Sequence, residues 1–337
     1  MMQIEHGGAL HRAVAQFGGT PSEWIDLSTG INPELFPLPD ISPETWNRLP
    51  DQTLLDTAIE AAQRYYGACD KAFIVAAPGT QALIQILPEL INVGEVAILG
   101  PTYQEHELSF KDAGWRVSHC AGIEEIPESA KVAVIVNPNN PDGRIVPAKI
   151  LIDLVKEMHS RGGFLIVDEA FADPHPECSV ASHAGMAGLF VLKSFGKFFG
   201  LGGLRLGFAL TTEENAKKIK LKLGPWAVSG PALVIATHAF SDAALLRDYT
   251  SRLKIRRKLL ADVFAQSQLT EVGGTMLFSL VRFTEGHRLH DKLCEQHVLT
   301  RKFSYAPQWL RFGLPLDKSA AERLHKRLAF ALRAVQS

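Results

Sequence analysis

The chain has 337 residues, 46% of them hydrophobic and 21% charged, with 35 Lys and Arg against 36 Asp and Glu. This is globular composition with material for more than one core, and a net charge of −1 provides no global field for nucleic acid or an anionic membrane. No run of 18 apolar residues and no apolar signal core occur, and Cys69, Cys120, Cys178 and Cys294 lack metal-site spacing, so a cytoplasmic protein with free thiols and no metal is expected.

Pro33, Pro37, Pro39, Pro43 and Pro50 exclude a long helix from the first fifty residues, which read as an irregular arm. A helix is expected over 52–66. From Ala72 short apolar runs alternate with helical periodicity. Strands are expected at 73–76, 96–99, 132–136, 164–167, 189–192 and 206–210, and helices at 81–90, 104–113 and 148–161. Continuous apolar strands separated by helices imply an α/β fold with a mostly parallel sheet covered on both faces. Ligands of such sheets bind beyond the carboxyl ends of the strands. After Ser229 helices dominate to Gln266. Strands at 276–281, 298–301 and 309–312, with helices at 287–296 and from Asp317, then suggest a smaller α+β domain.

Four of the strand ends carry unusual residues. They are Pro78-Gly79-Thr80-Gln81, Asn137-Pro138-Asn139-Asn140-Pro141-Asp142-Gly143, Asp168-Glu169-Ala170-Phe171, and Ser194-Phe195-Gly196-Lys197 with Arg205 eight residues further on. Each has an ordinary reading by itself: a helix cap, an Asn-Pro turn, a capping Asp, tight glycine packing. Gly200-Leu201-Gly202-Gly203 does not fit a dinucleotide fingerprint opening a helix. Taken together, at one edge of one sheet, they set an amine, a carboxylate and an arginine within reach of one another.

In order and spacing these runs resemble the fold-type I enzymes that use pyridoxal 5′-phosphate (PLP), the aspartate aminotransferase superfamily. The resemblance implies a large PLP-binding domain at 46–228, a small C-terminal domain at 229–337, and an arm at 1–45 joined to the latter. It implies a homodimer. It gives Lys197 as the amine that holds the cofactor aldehyde and moves protons, and Asp168 as the partner of the pyridine nitrogen. Asn137 would donate to the ring oxygen O3′ and Tyr103 would stack on the ring. Gly79 and Thr80 backbone N–H groups, Ser194 and Arg205 would hold the phosphate. Arg311, in Trp309-Leu310-Arg311-Phe312-Gly313, would take the substrate carboxylate.

Within the superfamily the chain is similar to the L-threonine O-3-phosphate decarboxylases of cobalamin biosynthesis and to the histidinol-phosphate aminotransferases. His6-Gly7-Gly8, the run from Asp26 to Pro33, and Phe171 in place of a tyrosine point to the former. The implied reaction is decarboxylation of L-threonine O-3-phosphate to (R)-1-aminopropan-2-yl phosphate, with histidinol-phosphate amino transfer as the alternative. Arg301, His6, Asn32 and Arg144 are candidates for the substrate phosphate or for closing the arm. Two departures stand out: Phe171 lacks a hydroxyl for O3′, and Leu49-Pro50-Asp51 replaces the Tyr-Pro-Asp whose tyrosine reaches a partner subunit's phosphate.

Overall fold

A continuous apolar strand has to be covered on both faces, and seven strands solve that problem together. In the computed structural model, which describes residues 6–336, they form one sheet. The spatial order is Phe73–Ala77, Gly207–Thr211, Leu189–Ser194, Phe164–Asp168, Ala130–Val136, Glu95–Leu99, Arg116–Cys120. Gly207–Thr211 runs antiparallel to both neighbours, and the other adjacent pairs are parallel. Val132, Val134, Ile166, Phe190 and Leu192 lie fully buried in its core, each contributing about 2 kcal/mol before chain entropy is counted.

Register decides where chemistry can sit. Val136 pairs with Asp168 and Asp168 with Leu192, so the ends of three neighbouring strands are level. Asn137, Asp168 and Ser194 thus share one edge of the sheet.

The chain divides into two units. One holds residues 36–140 and 144–247 with the seven-stranded sheet; the other, among the described residues, holds 6–35, 141–143 and 248–336. This division falls later than the 228/229 boundary read from the sequence, and it places residues 36–45 with the sheet. The reason lies in helix Gln52–Tyr66, capped by the Asp51 carboxylate and by Gly67 in the left-handed region. Its Ala58, Ala61 and Ala62 face is small enough for helix Gly230–Ser241 to pack closely on it. Gly230 is required there: a Cβ would lie 2.8 Å from the Thr45 carbonyl oxygen.

The second unit has a four-stranded antiparallel sheet, ordered Arg301–Lys302, Trp309–Gly313, Phe278–Arg282, Glu271–Gly274. Ile25–Asp26 pairs in parallel with Val298–Leu299, which attaches the arm. The arm is less irregular than its prolines suggest, because helix Leu10–Phe17 lies wholly before them. All four cysteines are free thiols. No described helix is long and apolar enough to cross a membrane.

Candidate active site

At the end of strand Phe164–Asp168 the Asp168 carboxylate is 3% exposed. Burying an ionised carboxylate requires donors, and two are present. His106 Nε2 lies 2.8 Å from Oδ2, and the Ala170 N–H donates to Oδ1 at 3.0 Å. A carboxylate only accepts, so the imidazole donates from Nε2 when Asp168 is ionised. His106 was not singled out in the sequence. It sits three residues after Tyr103, one helical turn on the same face, and the two rings meet edge to face at 6.2 Å. The Tyr103 hydroxyl donates to Gln81 Oε1 at 3.3 Å.

Lys197 lies in the short helix Phe195–Phe198 that follows strand Leu189–Ser194. It is half-buried, and its Nζ is 5.7 Å from the ring centre of Phe171, three residues after Asp168. Phe171 thus packs beside the ammonium with no hydroxyl to offer.

Arg205 adopts the left-handed region, φ 56°, and its guanidinium lies against Gly79. A Cβ at Gly79 would come within 2.7 Å of Arg205 Nη2, and one at Gly207 within 2.6 Å of the Thr80 nitrogen. As the first residues of helix Thr80–Ile86, Thr80 and Gln81 have N–H groups with no intrahelical acceptor. Gly79 differs from the expectation: its own N–H donates to the Ala77 carbonyl at 2.7 Å. It supplies room and a positive φ rather than a donor. Ser194 is buried where its strand ends.

Asn137 also differs. Its amide donates to the Val146 carbonyl at 3.1 Å and the Cys178 carbonyl at 3.2 Å, and accepts from the Val146 N–H at 2.8 Å. Both side-chain protons are spent on backbone, and the residue is fully buried. Asn139 is similarly committed, to Thr102 and the Pro101 carbonyl. Asn140 is the asparagine of the run that stays half-exposed. Three asparagines in four residues hid this from the sequence reading. Arg144 likewise donates to the Gly100 and Ala121 carbonyls.

Behind the strand ends lies a buried pair that the sequence did not announce. Lys193 is ion-paired with Glu169, whose carboxylate also accepts from Ser179 Oγ at 2.5 Å and the Val180 N–H at 2.7 Å. Beside them burial pushes the Asp173 carboxyl up to about 6.

The other unit holds a separate set. Arg301 and Arg311 are direct partners in the antiparallel register of strands Arg301–Lys302 and Trp309–Gly313. Like charges placed opposite destabilise a sheet. Arg311 is 6% exposed, packs 4.9 Å over Phe278, and donates from Nη2 to the Ser28 carbonyl at 3.0 Å. Asn32 is 2% exposed; its Oδ1 accepts from the Glu34 N–H, while its Nδ2 has no hydrogen-bond partner among the described residues. His6 is exposed on the arm.

A family model for aminotransferase class I and II matches residues 22–328. The chain belongs to that family. It is 43% identical to a threonine-phosphate decarboxylase of Sinorhizobium sp over 97% of this chain and 98% of that one. It is 39% identical to a threonine-phosphate decarboxylase of Pseudomonas aeruginosa over 96% and 97%. A histidinol-phosphate aminotransferase of Vibrio vulnificus is 28% identical over 75% and 71%. Among solved structures, a histidinol-phosphate aminotransferase from Sinorhizobium meliloti in complex with pyridoxal-5′-phosphate matches with TM-score 0.83 at 17% identity, covering 99% of this chain and 96% of that one. An L-threonine-O-3-phosphate decarboxylase from Porphyromonas gingivalis matches with TM-score 0.73 at 17% identity, covering 92% and 98%. These likenesses establish the fold of an aminotransferase class I and II protein, whose cofactor is PLP.

The residues fit that cofactor. The glycines at 79 and 207 leave a cradle that a Cβ would fill, with a guanidinium and backbone donors around it. Asp168, backed by His106, provides the acceptor that a protonated pyridine nitrogen needs.

Proposed function

We propose that this protein is a PLP-dependent decarboxylase of L-threonine O-3-phosphate, yielding (R)-1-aminopropan-2-yl phosphate and CO2 for cobalamin biosynthesis. One observation carries the reading: two threonine-phosphate decarboxylases match nearly end to end at 43% and 39% identity. The aminotransferase alternative is supported by 28% identity over three quarters of the chain. A cytoplasmic homodimer is part of the proposal, as the family likeness implies.

Bound PLP supplies the sink for the electron pair left when CO2 departs. The chain's own residues do the rest. Lys197 is the amine that would hold the cofactor, exchange with the substrate amine and carry the proton to Cα. Asp168 would pair with the protonated pyridine nitrogen, and His106 holds the Asp168 carboxylate in place. Thr80, Ser194 and Arg205 would hold the cofactor phosphate, and Tyr103 would lie against its ring. Arg311 pairs with the substrate carboxylate, with Arg301, Asn32 and His6 assigned to the substrate phosphate or to arm closure. Two arginines opposed in the strand register suit a substrate that carries two anionic groups.

The donor to O3′ is reassigned from Asn137 to Asn140. Asn137→Ala is then expected to lower stability by about 2 kcal/mol or more in urea unfolding, because buried backbone groups lose their partners. Asn140→Ala is expected to move the near-visible absorbance of the holoenzyme.

Incubation with L-threonine O-3-phosphate, without any 2-oxo acid, is expected to release CO2 stoichiometric with the amine product. Turnover of histidinol phosphate that depends strictly on 2-oxoglutarate, with no CO2 from threonine phosphate, would overturn the decarboxylase reading.

A further inference from the structure

The N-terminal His6-Gly7-Gly8 run is tied to the residue that orients Arg311. The Gly8 N–H donates to Ser28 Oγ at 2.7 Å. That hydroxyl donates in turn to Asp26 Oδ1 at 2.6 Å, and the Ser28 N–H donates to the same oxygen at 2.9 Å. The Ser28 carbonyl accepts from Arg311 Nη2 at 3.0 Å. Gly7 lies directly on that carbonyl: a Cβ there would sit 2.3 Å from the Ser28 oxygen and 2.9 Å from its carbon. Ser28 itself is 2% exposed. The segment is also fixed at its far side, where the Gly313 N–H donates to the Leu27 carbonyl at 2.7 Å, two residues from Arg311 in the chain.

We infer that Ser28 is a positioning residue that couples the N-terminal arm to Arg311, and that Gly7 is required because only glycine lets the arm lie on the Ser28 carbonyl. The sequence used every polar group of Ser28 for this. Its N–H and hydroxyl proton go to Asp26, its Oγ takes the arm, and its carbonyl takes the guanidinium. With the Ser28 N–H and hydroxyl fixed by Asp26 and the hydroxyl by Gly8, its carbonyl is held where it meets Arg311 Nη2, which favours the single guanidinium orientation that a bidentate pairing with carboxylate needs. Arm seating therefore sets how well a carboxylate is bound more than it sets the hold on the phosphate, to which Arg301 and Asn32 are assigned besides His6 of the arm. This inference rests on the proposed assignment of Arg311 to the substrate carboxylate.

The test compares two ligands of the full-length holoenzyme that differ by the carboxylate alone: L-threonine O-3-phosphate and the amine product. Ser28→Ala and Gly7→Ala are expected to raise KM for threonine phosphate about tenfold, the size of one charge-assisted hydrogen bond. The inhibition constant of the amine product, which keeps the phosphate and lacks the carboxylate, is expected to rise by a clearly smaller factor than KM. Hydrogen exchange at the Gly8 amide should quicken in Ser28→Ala, which retains the carbonyl and buries a smaller side chain. Unchanged KM with faster arm exchange would overturn the coupling. Equal weakening of both ligands would overturn it too, by making the arm a general structural brace. A wild-type protein that binds neither ligand would remove the substrate reading first, and this inference with it.

Discussion

Lys197→Ala should lower kcat by about 10³-fold or more, since it removes the group that exchanges the cofactor and moves the Cα proton, and general acid–base catalysis alone is worth two to four decades. The same variant should lose the near-visible band of the holoenzyme and remain folded. Lys197 is half-buried, with its ammonium 5.7 Å from the ring centre of Phe171. The contrast with Lys193, four residues earlier, makes the prediction sharp. Lys193 is 2% exposed and paired with Glu169. Lys193→Met should therefore destabilise the protein strongly, because breaking a buried pair strands the remaining carboxylate. A turnover loss of equal size in both variants, with both still folded, would separate the amine from its assigned role.

Asp168→Ala is expected to lower kcat about 10²-fold, as a charge-assisted hydrogen bond of up to about 3 kcal/mol is lost where the reaction's charge is stabilised. Steady-state kinetics would show the loss in kcat and kcat/KM together, the sign of an interaction made in the transition state. His106→Phe should show a smaller loss in the same direction, since Asp168 keeps the Ala170 N–H but loses its side-chain partner. If His106→Phe had no effect on either constant, the imidazole would be packing alone.

The central sheet was legible because its strands are buried on both faces and spell continuous apolar runs. Arg116–Cys120 was missed for the opposite reason: it is an edge strand, and Arg116, Ser118 and His119 carry no such run. Glu271–Gly274 was missed because two glycines have no side chain to report a face. Helix Leu10–Phe17 was obscured by the prolines that follow it. At the candidate site, the spacing of Asp168 and Lys197 follows from their places at, and just after, the ends of their strands. His106 could not be read in this way, since a histidine in a helix gives no local sign of the carboxylate it meets 62 residues later. Nor can sequence tell which of Asn137, Asn139 and Asn140 turns inward. That choice is made by the backbone of Val146 and Cys178, distant groups that need the Asn137 amide. The unit boundary slipped because helix Gly230–Ser241 takes its place from a partner helix far upstream, rather than from its own pattern.

The most direct measurement is borohydride reduction of the holoenzyme followed by mass spectrometry of its peptides. The account predicts that the reduced cofactor's mass is found on Lys197 and nowhere else, with Lys193 unmodified. Attachment at Lys193 or at another lysine, or no attachment in a protein that nevertheless releases CO2 from threonine phosphate, would contradict it.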